Sequence, residues 1–177
     1  MTSESTMVGI NDPPHSAKLN GRVGLGLRVV FGLLWMANTE WKIPTSFNAV
    51  KSFTTNGTAS AASAFGPYTF VVKKLVLPNF GVFGWLTLLL EVSLGAFLLL
   101  GLGTRLWALI GAGQATAIGL SVMFQSGEWP WAYVMMVAGH IALFALAAGR
   151  TGGLDSVLRP LWARRTDRVS QLMMRAS

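Results

Sequence analysis

The chain contains no cysteine. Disulfide staples, thiol redox chemistry, cysteine-ligated iron–sulfur clusters and thioether-attached haem are therefore excluded. Charge is also scarce. Only 12% of residues are Asp, Glu, Lys or Arg, about half the share of an ordinary soluble domain, so much of the surface faces something other than water. Acidic groups are rarer still, 7 against 14 basic ones. Most of the basic groups sit at the ends of apolar runs or beyond Gly149. That placement suits anionic lipid headgroups and gives no nucleic-acid footprint. Histidine occurs twice, at His15 and His140. No histidine–carboxylate pair stands at helical metal spacing, so no metal centre is expected, and a histidine–methionine pair is the one haem ligation left open. A phosphate-cradling loop is missing too. "GLGLRVVFG" has glycines but lies in an apolar run with no strand before it.

Long apolar runs are what the chain does have. Four of them, about 22–39, 80–102, 105–124 and 131–149, are each close to the ~20 residues that cross a bilayer core as a helix. Four such helices in so short a chain cannot all hide in a soluble core. The expected fold is all-α: an integral membrane four-helix bundle. Residues 1–20 have no apolar core near Met1 and are expected to form a disordered cytoplasmic tail, not a secretory signal. Residues 151–177 are expected to form a basic cytoplasmic tail.

The second and third runs are joined by "GLGT", a tight hairpin, and Pro130 suits the first turn of the fourth. The link at 40–79 is long. Phe47, Val50 and Phe53 are spaced for one face of a short helix, and so are Tyr68, Val72 and Leu75 beside Lys73 and Lys74. Both read as short amphipathic helices at the membrane surface. "TTNGTASAAS" between them reads as a turn, and its Asn56-Gly57-Thr58 is a weak sequon match. The placement of lysine and arginine puts both termini in the cytoplasm and this link outside, with Trp41, Trp129, Trp131 and Tyr133 as an outer aromatic belt.

Four polar side chains interrupt the runs. Glu91, Gln114 and His140 each lie about ten residues into their run, near the bilayer midplane at ~1.5 Å per residue, and Arg28 is within a few turns of them. A buried charge there costs ~2.5–3.5 kcal/mol and normally faces a partner. Arg28 is the expected partner of Glu91, since its planar fork matches a carboxylate. Glu91 and His140 are the candidate proton-handling pair, with Gln114 completing the network or gluing helices together. Trp35 and Trp85 could pack the bundle or stack on a ring-shaped ligand. Gly111, Ala115 and Gly119 have small-xxx-small spacing and read as close helix packing.

The segment "EVSLGAFLLLGLGTRLWALIGA" resembles the signature region of the DoxX family: a glutamate, small and leucine-rich residues, a glycine and a Thr-Arg pair. "AAGRTGGLDSVL" is similar to the family's closing Gly-Arg and Leu-Asp. "LRVVFGLLWMANTEWKIP" is similar to its opening helix, although "NTEWK" stands where the family often has glycines. "EWPWAY" resembles the branch related to DoxD, the small subunit of thiosulfate:quinone oxidoreductase. The resemblance implies a four-helix protein of the bacterial inner membrane, tied to redox complexes and quinone chemistry. It carries Arg28, Lys42, Glu91 and Arg105 over as the matching polar positions.

Three functions compete at this point. The first is a quinone-interacting subunit of a membrane oxidoreductase, not a stand-alone enzyme. Its proton-handling residues would be Glu91 and His140, with Arg28, Trp35, Gln114, Lys42 and Arg105 around the quinone. The second is a non-enzymatic scaffold or accessory subunit. The third, a small transporter, is weaker because the runs show no internal repeat. The partners implied are membrane lipid and other membrane or redox subunits, with a homo-oligomer left open and no nucleic acid.

Overall fold

The structure, a computed structural model, describes residues 14–39, 42, 66–124 and 126–177. Every regular element among them is helical. Phe47, Val50, Phe53, Trp41, the sequon and residues 1–13 lie outside the described residues.

Helix α1 spans Pro14–Ala37, so it starts within the stretch expected to be a disordered tail. Ala17, Lys18 and Leu19 are good helix formers, and a proline is tolerated in a first turn. Helix α2 covers Gly66–Val71 and runs into a π-helical turn, Val72–Val76, closed by the Leu77 amide on the Val72 carbonyl at 2.9 Å. The link therefore does carry a short helix here, but with a different inner face. Tyr68, Val72 and Val76 line the interior, whereas Leu75 is 51% exposed. The π turn inserts a residue and shifts the inward position from Leu75 to Val76.

Helix α3, Phe80–Leu100, buries Phe80, Gly84, Leu88, Glu91, Gly95 and Leu98, a stripe stepping by three and four. It stops at Gly101, whose φ of +66° is the left-handed conformation open to glycine, and the amides of Gly101 and Leu102 close back on Phe97. Helix α4, Thr104–Val122, buries Thr104, Ala108, Gly111, Ala115, Gly119 and Val122 in a matching stripe. Helix α5 is Pro130–Leu146, with proline in its first turn. After a 3-10 turn at Ala148–Arg150 come α6, Leu154–Ala163, and α7, Arg168–Ala176, so the basic tail is a helical hairpin.

The main packing pairs are α4 with α5 and α1 with α3. The first pair closes over the small residues of α4. A Cβ on Gly111 would lie 2.2 Å from the His140 ring, and one on Gly119 would lie 3.1 Å from Tyr133. Among the described residues, α3 is long and apolar enough to cross a membrane, and α5 is apolar but shorter. Only 28% of the most apolar window of α3 is buried. The core helix of a soluble protein would be mostly buried.

Candidate functional site: a buried ion pair in the wall of an apolar cavity

Glu91 and Gln114 meet because α3 and α4 form an antiparallel hairpin. Glu91 lies nine residues before Leu100, and Gln114 lies ten after Thr104. At equal rise per residue the two reach the same level. The Gln114 amide donates to Glu91 Oε1 at 3.1 Å, and Glu91 is fully buried.

The other carboxylate oxygen is taken by Lys42. Its ammonium donates to Glu91 Oε2, and the residue is 8% exposed. Lys42 follows the end of α1 and is turned by its amide bonding to the Thr39 carbonyl at 3.0 Å. The expected Arg28–Glu91 pair is therefore not formed, and the partner comes from the link instead. A long lysine stem can bring its charge inward from such a position.

The pair opens on a cavity of about 420 Å³ with apolar walls that include Val72, Phe80, Phe83, Ile118 and Met136. Both tyrosines of the chain line it. Tyr68 donates to the Ala117 carbonyl at 2.7 Å and lies 2.8 Å from Ser121 Oγ, and burial pushes its phenol pKa up. Tyr133 lines the cavity as well and donates to Glu128 Oε2 at 2.5 Å. Trp129 and Trp131, just before it, are 64% and 60% exposed. Sequence reasoning placed Tyr68 on a surface helix and did not single out Tyr68, Ser121 or Glu128 as site residues. The rarity of tyrosine was the one signal available for the first.

Arg28 sits at the end of α3. Its guanidinium donates to the carbonyls of Leu98 at 3.1 Å, Leu99 at 3.3 Å and Gly152 at 3.1 Å. Two of these are terminal carbonyls of α3, of which that of Leu98 also accepts from the Gly101 amide at 3.2 Å. Asp155, also fully buried, does the converse for α4. It accepts from the amides of Gly103 at 2.7 Å and Thr104 at 3.0 Å, at the positive end of the helix dipole. A Cβ on Gly149 would come within 2.3 Å of Asp155 Oδ2. The "GLGTR" and "GRTGGLD" segments thus form one knot that caps two helices. Arg105 lies beside it, with its guanidinium 4.3 Å from the centroid of the Phe144 ring.

His140 is committed elsewhere. Its Nδ1 lies 2.7 Å from the Met136 carbonyl, which can only accept, so Nδ1 carries the proton. Nε2 then accepts from the Trp35 indole at 2.9 Å, and Phe31 meets the ring edge-on at 4.7 Å. Of the expected site residues, the structure brings Lys42, Glu91 and Gln114 together on the cavity. Arg28, Trp35, Arg105 and His140 do not line it.

Fold and site together define a helical protein with a buried ion pair facing a ligand-sized space. Residues 25–174 match the family described as the TQO small subunit DoxD, and the chain belongs to that family. At family level it is a small subunit associated with a membrane oxidoreductase, which implies partner subunits. No curated protein and no solved structure gives a significant match.

Proposed function

We propose that the chain is the multi-pass membrane subunit of a quinone-linked oxidoreductase, with α1, α3, α4 and α5 crossing the bilayer and both termini in the cytoplasm. The observation that carries this reading is the Lys42–Glu91–Gln114 cluster standing in the wall of a largely apolar cavity. The membrane placement is supported by an inverted burial pattern. Arg28, Glu91, His140 and Asp155 are at most 1% exposed, while Leu33, Leu86 and Leu89 are 55–58% exposed. Lipid tolerates the second group and not the first.

The cavity, about 420 Å³, falls within the ~300–1,000 Å³ of small-molecule sites. Its apolar walls suit a hydrocarbon ring and tail. A quinone, when bound, supplies a two-electron, two-proton acceptor. Lys42 and Gln114 are the donors suited to its ring carbonyls, and Glu91 orients both and is the group able to exchange a proton with the ligand. Electrons come from the partner subunits. His140 and Trp35 hold α1 to α5 in this reading, and Arg28 and Arg105 serve the other end of the bundle.

Organic extraction of the complex purified in mild detergent, followed by mass spectrometry, tests the proposal. The expected result is a stoichiometric quinone that is lost in a Glu91→Gln variant which still assembles. An assembled complex with no lipophile beyond bulk lipid, and with full activity after Glu91→Gln, would overturn it in favour of the scaffold.

A further inference from the structure

The hairpin α6–α7 presents two kinds of surface. One is tied to the body of the protein. Arg159 donates to the carbonyls of Met174 at 2.7 Å and Ser177 at 3.0 Å, Arg150 reaches the Ser177 carbonyl at 3.1 Å, and Asp155 and Ser170 are buried. The other has nothing over it among the described residues. Leu154, Val157 and Leu161 recur at helical spacing along α6, and Val169 and Leu172 do so along α7. They are 39%, 64%, 51%, 67% and 63% exposed.

The charge around these stripes is predominantly positive. The two carboxylates of the hairpin, Asp155 and Asp167, are both engaged internally, the first at α4 and the second on the amide and hydroxyl of Ser170. Arg150 and Arg159 are engaged on carbonyls. Arg164, Arg165, Arg168 and Arg175 remain as exposed cations. Lys18 and Arg22 add exposed positive charge on the first turns of α1, where Gly21 and Gly24 lie against Thr151 and Ala148. The hairpin also joins the body near exposed apolar residues. It joins the body at the Gly101–Thr104 turn, and Leu100 and Leu106 on either side of that turn are 52% and 48% exposed.

An apolar stripe flanked mainly by arginines, on a hairpin anchored at the end of an apolar helix, has the chemistry of the boundary between acyl chains and anionic headgroups. A soluble partner would need acidic groups and an apolar face of its own, whereas an anionic bilayer supplies both kinds of surface at once. We propose that α6–α7 lies in the headgroup region of an anionic phospholipid leaflet. Its leucines and valines enter the acyl boundary, and Arg164, Arg165, Arg168 and Arg175 contact lipid phosphates. The inference rests on the membrane reading above, and it adds a specific lipid surface as partner to one element of the chain.

The absence of cysteine makes the test direct. Single cysteines replacing Val157, Leu172 and, as a reference on the outer face of α3, Leu89 are labelled with an environment-sensitive dye in the full-length protein. Each is reconstituted into bilayers of phosphatidylcholine alone or mixed with phosphatidylglycerol, with and without spin-labelled lipid as a quencher. At Val157 and Leu172 the expected result is blue-shifted, lipid-quenched emission in the anionic bilayers. That signal should fade with salt and with Arg164→Gln, Arg165→Gln and Arg168→Gln. The inserted population should drop about fivefold per arginine removed. The Leu89 site should be quenched in both bilayers. Quenching at Leu89 with water-like emission at Val157 and Leu172 overturns this inference and leaves the membrane reading standing. No quenching at any site overturns both. Protection of Val157 and Leu172 only when a partner subunit is present, whatever the lipid, assigns the stripe to protein and also overturns the inference.

Discussion

Two clusters of buried charge sit in this protein and are used differently. In one, at the turn between α3 and α4, Arg28 and Asp155 address backbone: the carbonyls ending α3 and the amides beginning α4. In the other, halfway along the same two helices, Lys42 and Glu91 address each other and a cavity. The first leaves little room for a ligand, since Cβ atoms on Gly101 and Gly153 would already lie 1.8 and 2.9 Å from an Arg28 nitrogen. The second has about 420 Å³ beside it. A buried charge by itself therefore does not mark a functional site. What its hydrogen bonds are aimed at does.

The comparison makes its sharpest statement about stability. Asp155→Ala orphans two buried amides, each worth ~1–3 kcal/mol when left unsatisfied, and should cost on the order of 2–6 kcal/mol. Arg28→Met removes the side-chain donor from the Leu99 and Gly152 carbonyls, while Leu98 keeps the Gly101 amide, and should fall in the lower part of that range. Thermal unfolding in detergent, or loss of folded protein on expression, reads both. A mild effect from either would break the claim that this end is a structural knot.

The ion pair on the cavity should respond differently. Lys42→Met alone leaves Glu91 buried without its cation and should destabilise by about 3–5 kcal/mol. Replacing both groups, Lys42→Met with Glu91→Gln, should recover most of that loss, because an isolated buried pair is close to neutral against uncharged groups of similar size. The double variant should nevertheless fail to retain the lipophilic ligand. Recovery of stability without recovery of ligand is the pattern that separates this cluster from the knot. A double variant as unstable as Lys42→Met would make the pair structural as well.

Trp35→Phe provides a smaller contrast. It removes the donor to His140 Nε2 and should cost ~1–3 kcal/mol for an unpaired buried nitrogen. Ligand retention and the pH profile of activity in the assembled complex should stay as in the wild type. A displaced pH profile would bring His140 back as a proton-handling group.

Sequence reasoning reached the level of Glu91, Gln114 and His140 because depth follows from residue counting along a helix. It reached the Gly111–Ala115–Gly119 packing face because small residues at that spacing have few other uses. It could not assign partners, because rotation about each helix axis is set by contacts with other chain segments. Arg28 is the partner of Glu91 that type and depth suggest, and Lys42, placed in the outer link, is not weighed against it. Arg28 instead faces the end carbonyls of α3, whereas the stem of Lys42 turns inward from the link. His140 looked free because its acceptor, the Met136 carbonyl, is backbone, and its donor, Trp35, lies on a different helix. The inner face of the link was misjudged by one position because a π turn has no distinctive composition.

The smallest effect concerns the two aspartates that cap helices. Asp155 caps α4 from a distant segment and is buried. Asp167 caps α7 locally and is fully exposed, accepting from the Ser170 amide at 3.0 Å and its hydroxyl at 2.8 Å. These bonds favour the carboxylate and hold the Asp167 pKa below the usual aspartate value. The unfolded segment binds a proton at about pH 3.9, higher than the folded one. The cap's contribution is therefore fully present above that pH and is lost as pH falls through the depressed folded value. A dye on a cysteine at position 172 should report α7 loosening across that acid window in the wild type, and no such step after Asp167→Asn. Because the group is exposed and screened, the change should stay confined to α7 and leave thermal unfolding of the bundle unmoved. A global shift in unfolding on Asp167→Asn would mean that the exposed cap is coupled to the buried one, and the two ends of the hairpin would then have to be treated as a single unit.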